Sequence, residues 1–253
     1  MLRILAIALL LSGQYVPQAF NAGSTAVTFT HIQGGSDFSG AAPPESATSC
    51  HPSLGSTPTA GNIVWVGLIT VLPSASTLPG SITFKDATPN TYTVTGTSPT
   101  AYNPTGSFWF HIYLSYFIVS GTPSKTINIT WTGNFRAECW ADEFHKSTGA
   151  ITYVSDAANT LTLCSGTSAA TPSINPGASA SLLYSVAFDF DTGLTAPTSG
   201  ASLGSWVGAV GGVELAQNGG AAEYDLAASG ATAVNYTCGA GGDHYGAMVG
   251  AAH

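Results

Sequence analysis

The sequence predicts an all-β protein, a single two-sheet β-sandwich of jelly-roll type with about ten strands. Three observations carry that expectation. Apolar and polar residues alternate at strand period in one segment after another. Stretches rich in Gly, Pro, Ser and Thr separate those segments at short intervals, and after residue 20 no run shows a helical period. A chain of 253 residues is long enough for one large β-domain with a sizeable core, and no internal repeat or Pro-rich or charged linker divides it.

The first element is a leader. Met1-Leu2-Arg3 is a short positive start, and Ile4 to Leu11 is an unbroken apolar run closed by Ser12-Gly13. This is the pattern of a secretory signal peptide over residues 1–22, with small residues around Ala19, Ala22, Ser24 and Ala26 as cleavage points. The competing reading is a retained N-terminal strand. The domain proper is expected over residues 23–253, and the membrane enters only through the leader during export.

Thr25 to Ile32 alternates, placing Val27, Phe29 and His31 on one face of a half-buried strand. Residues 34 to 59 read as a long loop that Cys50 could tether. Asn62 to Leu72 is almost continuously apolar and β-branched, as suits a strand buried on both sides. Ile82 to Val94 reads as a hairpin, with Asp86, Pro89 and Asn90 forming its turn. Ser107 to Ser120 carries six aromatic rings, a density that marks a core seam or a binding face. Thr126 to Trp131 and Phe135 to Phe144 read as a strand pair joined at Thr132-Gly133-Asn134. Residues 156 to 178 read as a long connection, and further strands are expected at Ser181 to Asp191, Ser205 to Leu215, Ala221 to Ala227, Ala231 to Cys238 and His244 to Ala251.

Composition narrows the function classes. Only 7% of residues are charged, the formal net charge is −8, and the five basic residues (Arg3, Lys85, Lys125, Arg136, Lys146) are scattered. Nucleic-acid phosphates need a clustered basic face, so no nucleic-acid partner is expected. The four cysteines, Cys50, Cys139, Cys164 and Cys238, have no CxxC spacing, and in an exported chain they read as two disulfides. Three pairings exist. The expectation is Cys139 with Cys164, closing a short loop, and Cys50 with Cys238, tying an early loop to a late strand.

The landmarks Asn62-Ile63-Val64-Trp65-Val66-Gly67, Ile82 to Asp86 with Asn90-Thr91-Tyr92-Thr93, Thr126 to Thr130, Asp142-Glu143-Phe144, Asp156, Glu223-Tyr224 and the closing Tyr245 to Ala251 strand occur in that order. Their order over residues 60 to 253 resembles that of bacterial secreted or surface proteins, and of some phage structural proteins, with jelly-roll or lectin-like sandwiches. The resemblance implies a fold and carries no mechanism, because such folds host many unrelated functions.

The richest candidate site is the strand Arg136 to Phe144. Strand period puts Arg136, Glu138, Trp140, Asp142 and Phe144 on one face and Ala137, Cys139, Ala141 and Glu143 on the other. If the small face packs on a sheet, Trp140 stands outward between Glu138, Asp142 and Arg136, the make-up of a sugar platform, with Trp109 as a second ring. A plain ion-pair and core strand is the alternative. A glycosidase pair is the remotest, since positions i and i+4 lie ~13 Å apart along a strand.

Asp189 and Asp191 share a face and could hold calcium, the only cofactor candidate, or simply form the wet end of a strand. Ser202, Asp225 and His244 follow the Ser, Asp, His order, but Gly200-Ala201-Ser202-Leu203-Gly204 lacks the strand-to-helix setting of a nucleophile elbow. Asn128-Ile-Thr130 and Asn235-Tyr-Thr237 match the N-glycosylation pattern. These features together predict a non-enzymatic secreted protein that acts by adhesion or self-assembly. Its partners are copies of itself or a surface glycan.

Overall fold

The computed structural model describes residues 26–39, 47–72, 80–86, 90–96, 98, 100–103, 109–164, 168–177, 181–189, 194–195, 202–203, 206–209, 219–238 and 244–253. The expected leader lies outside them. Among the described residues there is no helix, and eighteen strands form in place of the ten or so expected. They are β1 (Phe29–Ser39), β2 (Ala47–Cys50), β3 (Ile63–Leu72), β4 (Gly80–Asp86), β5 (Thr93–Val94), β6 (Thr100–Tyr102), β7 (Trp109–Ile118), β8 (Ile127–Lys146) and β9 (Tyr153–Ala158). The chain continues with β10 (Thr162–Leu163), β11 (Ser168–Ile174), β12 (Ser181–Asp189), β13 (Leu194–Thr195), β14 (Ser202–Leu203), β15 (Trp206–Gly208), β16 (Gly219–Ala228), β17 (Thr232–Cys238) and β18 (His244–Ala252).

The first sheet runs β1-β8-β3-β7-β5, with β2 and β4 flanking the first half of β8 and β6 beside β7. The second runs β10-β18-β12-β16-β15-β14, with β9 beside β18, and a third small sheet runs β11-β17-β13. All the described pairings are antiparallel. The first half of the chain therefore fills one sheet and the second half the others. The antiparallel sheets are those of an all-β, sandwich-like fold.

Two expected elements resolve differently. The pair 126–131 and 135–144 is a single strand of 20 residues, β8. Its first half pairs with β2 and β4, its second half with β1 and β3. Gly133 marks the change with φ 107°, and a Cβ there would stand 2.6 Å from the Phe135 ring, so the position takes only glycine without strain. At the 82–94 hairpin, whose residues 87–89, Pro89 among them, lie outside the described residues, Asn90 Nδ2 donates to Asp86 Oδ2 at 2.9 Å and Tyr92 N to Phe84 O at 2.8 Å. Its arms then part, because β4 pairs with β8 and β5 with β7.

Strand alternation builds three apolar layers. Between the first and second sheets pack Trp65, Ile69, Trp140 and Phe144 against Tyr184, Val186, Phe188 and Met248. Outside the first sheet, Val64, Val66, Leu68, Tyr113 and Cys139 meet Phe84, Ile127 and Ile129, so β8 folds over the sheet that its own second half completes. Outside the second sheet, Leu183, Ala187, Ala247 and Val249 meet Val234 and Tyr236 of β17. Sheets covered on both faces read as continuous apolar runs, which is why β3 has no polar face.

Large rings in the central layer dock on glycine backbone. A Cβ at Gly220 would lie 2.5 Å from Trp140, at Gly250 2.5 Å from Trp65, and at Gly246 2.8 Å from Tyr102. The sheets approach closely because large side chains of one sheet face glycines of the other at these points, an interdigitation that keeps packing dense.

The disulfides correct the expected pairing. Cys50 bonds Cys139, and Cys164 bonds Cys238. Cys139 lies in the layer outside the first sheet and Cys164 in the layer outside the second, with the whole central layer between them, so the short Cys139–Cys164 loop cannot close.

Candidate functional site

The two faces of β8 divide as its alternation requires, but both face inward. Cys139 and Ala141 enter the outer layer, while Trp140 and Phe144 enter the layer between the sheets. The expected platform is thus turned to the interior: Trp140 is 1% exposed, Glu138 2% and Asp142 0%. Arg136 is half-buried, and its Nε has no hydrogen-bond partner among the described residues. Trp109 is half-buried on β7, stacked over His111 with ring centroids 6.4 Å apart. The side chains proposed to share a binding face are distributed between a closed layer and a strand end, and no exposed Trp140 platform forms. The physical reason is coverage, because the second sheet lies over the face that was expected to meet solvent.

In that layer the carboxylates of β8 tie the first sheet to the second. Asp142 Oδ2 accepts the Tyr184 hydroxyl at 2.8 Å, and Asp142 Oδ1 lies 2.8 Å from His31 Nε2. The His31 ring stacks on Tyr224 at 4.7 Å and tilts against Phe144 at 5.2 Å. Burial first, and the Asp142 carboxylate second, raise the Tyr184 phenol well above its ordinary pKa, so it remains a donor. Glu138 Oε2 accepts the backbone N–H of Gly220 at 2.9 Å, a second bond from β8 to the opposite sheet.

Glu143, on the other face of β8, anchors the 56–62 segment. Its Oε1 accepts Thr59 N at 2.7 Å and Asn62 Nδ2 at 2.6 Å, and its Oε2 accepts Gln33 Nε2. Gln33 Oε1 in turn accepts Ser56 N at 2.7 Å. Charge-assisted bonds of this kind are the strong ones, and here they hold a loop against β1 and β8.

These carboxylates all accept hydrogen bonds from other parts of the fold. Each bridges elements of the fold, and the four-residue separation of Glu138 and Asp142 along one strand keeps them ~13 Å apart at the backbone, beyond the carboxylate spacings of glycosidases. Asp189 is fully buried at the end of β12, where its carboxylate and the Cys164 and Cys238 sulfurs lie within 4.8 Å of one another. Those sulfurs are bonded to each other, which leaves no thiolate for a metal. Asp191, the other half of the calcium candidate, lies outside the described residues.

Asn128 is half-buried on β8 opposite Lys85, and Asn235 sits on β17 opposite Ala170. Asp225 is buried with Oδ1 accepting Ala227 N at 3.0 Å, while Ser202 lies in a two-residue strand. The expectation placed His31 on one face of a half-buried strand with Val27 and Phe29, and His31 is half-buried; its partner Asp142, 111 residues away, left no local signal. Glu143 was assigned only to the small face of β8, and its three donors come from two segments remote from it in sequence, Gln33 and residues 59–62.

No family model, curated protein or solved structure matches the chain. Two disulfides are the mark of an oxidising compartment. Among the described residues no helix is long and apolar enough to cross a membrane.

Proposed function

We propose that the protein is a non-enzymatic, exported surface or structural protein that acts by self-assembly or adhesion, of the same general kind as secreted and particle-surface sandwiches. One observation carries the reading. The acidic and aromatic residues best suited to chemistry, Glu138, Trp140 and Asp142, are buried between two sheets, with the two carboxylates hydrogen-bonded across them and the Trp140 ring packed in the apolar layer. What remains for a partner is a neutral exterior, with 7% charged residues in the whole chain and strands such as β1 and β14 at the ends of their sheets. Such edges accept further strands, and low charge leaves little repulsion between copies.

Size-exclusion chromatography with light scattering over a wide concentration range, in buffer that keeps the disulfides oxidised, tests the assembly version. Concentration-dependent growth in mass is expected. A monomer at every concentration, which also fails to bind cell-wall or polysaccharide preparations, would contradict the reading.

A further inference from the structure

Tyr116 of β7 and Tyr153 of β9 belong to different sheets, yet their rings lie face to face, with centroids 4.7 Å apart and planes 5° from parallel. Both are half-buried, and every other tyrosine among the described residues is buried. Among the described residues, the two tyrosines that are not buried are thus stacked on each other. Behind them lies Trp65, fully buried, 5.5 Å from the Tyr116 ring and 6.3 Å from that of Tyr153. The Tyr153 hydroxyl donates to Asp156 Oδ1. A carboxylate already holding the phenolic hydrogen can take the proton when the ring loses an electron.

We propose that Tyr116 and Tyr153 are a modification site, an oxidative cross-link poised to form one dityrosine bond between the two sheets. A peroxide acting through a haem peroxidase, or another one-electron oxidant, supplies the chemistry. Each phenol gives up one electron and one proton, that of Tyr153 by way of Asp156. The two phenoxyl radicals join through ring carbons ortho to oxygen, and the product regains aromaticity by moving each ortho hydrogen to oxygen. Two phenols and one hydrogen peroxide thus yield one dityrosine and two waters. Stacking limits the rearrangement to a slide and twist of rings already in contact, so coupling within the molecule outruns coupling between molecules. Burial, and secondly the Asp156 hydrogen bond and charge, raise the phenol pKa of Tyr153, so it enters the reaction protonated and needs that acceptor.

The test is oxidation of the full-length disulfide-bonded protein with peroxidase and hydrogen peroxide, with free tyrosine confirming that the oxidant is active. The expected result is dityrosine fluorescence in the monomer fraction and one cross-linked peptide pair, residues 116 and 153, lighter by two hydrogens. Tyr116→Phe and Tyr153→Phe each abolish both signals, and Asp156→Asn slows their appearance. Both phenylalanine variants keep the stacked ring, and near-ultraviolet circular dichroism checks that they fold. Absence of the 116–153 peptide from folded wild type, dityrosine only in covalent oligomers, or undiminished monomer signal in Tyr153→Phe would overturn the proposal.

Discussion

Gly67 lies where the central strands of the two main sheets meet, paired on one side with Leu114 and on the other with Trp140. A Cβ at this position would lie 2.2 Å from Val186 Cγ2 and 3.3 Å from Val186 Cβ and Cγ1. Ordinary contact begins near 3.4 Å, so Gly67→Ala has to open the layer locally by about 3.4 − 2.2 = 1.2 Å. Two effects favour alanine: roughly 0.5–1 kcal/mol from reduced backbone freedom, and about 0.8 kcal/mol from a buried methyl group. Strain in a dense interior opposes them with about 1–3 kcal/mol, and the neighbour here is a β-branched side chain on a backbone held from both sides. A backbone that cannot yield puts Gly67→Ala near the upper end, so a net loss of about 1–2 kcal/mol is expected. Val186→Ala costs about 1–3 kcal/mol alone by removing two methyl groups. In the double variant the methyl of residue 67 occupies the vacated space, so the losses do not add, and a coupling of at least about 1 kcal/mol is expected. Urea unfolding of all four proteins, at constant m-value, measures it. A Gly67→Ala protein as stable as wild type, or strictly additive losses, would refute close approach of the sheets at this point.

Three further outcomes follow from the same structure. Replacing Cys164 and Cys238 together by alanine frees a 74-residue separation and costs about 4.5 kcal/mol on the loop-entropy relation, and replacing Cys50 with Cys139, 89 residues apart, costs about the same; chemical denaturation of each pair variant checks the values. His111 is fully buried with neither ring nitrogen hydrogen-bonded among the described residues, and burial lowers its pKa from 6.5 to about 4. The unfolded chain therefore binds the extra proton first, and the stability due to neutral His111 is complete above pH 6.5 and lost as pH falls toward 4. His111→Leu should remove that part of the acid sensitivity, amounting to about 3 kcal/mol between those limits, read as the difference between the two pH–stability curves. Glu143→Gln replaces an acceptor of three hydrogen bonds by a group that is half donor, and is expected to cost about 2–3 kcal/mol. Hydrogen exchange should locate the loss of protection in the 56–62 segment, and an unchanged segment would refute its anchoring by Glu143.

Strand faces were legible in the sequence because side chains alternate with a period that nothing else in the chain imitates. Val64, Val66 and Leu68 against Trp65 and Ile69, and Glu138, Trp140 and Asp142 against Cys139 and Ala141, are divided as alternation requires. Which face meets water was not legible on β8. Charged residues on one face of a strand read as solvent-facing, and only the overlying second sheet, built more than 40 residues later from Tyr184 and Gly220, turns that face inward. Cysteine pairing failed for a related reason, since loop length along the chain says nothing about the layer in which a residue is buried. Gly246 and Gly250 fall inside the expected 244–251 strand and Gly220 just before the expected 221–227 strand, but nothing along the chain showed that they are the seats for Tyr102, Trp65 and Trp140.

The central claim is that Glu138 and Asp142 of β8 lie between the sheets, that Glu143 lies under the 56–62 segment, and that all three serve the fold. Carbodiimide labelling of native carboxyl groups, followed by peptide mass spectrometry, tests it most directly. Asp37, with a side chain 34% exposed, provides the accessible reference. The structure predicts that Glu138, Asp142 and Glu143 resist modification while Asp37 is labelled, and that all four react once the protein is unfolded. Labelling of Glu138 or Asp142 in the native protein at the rate of Asp37 would place that face in solvent and contradict the account.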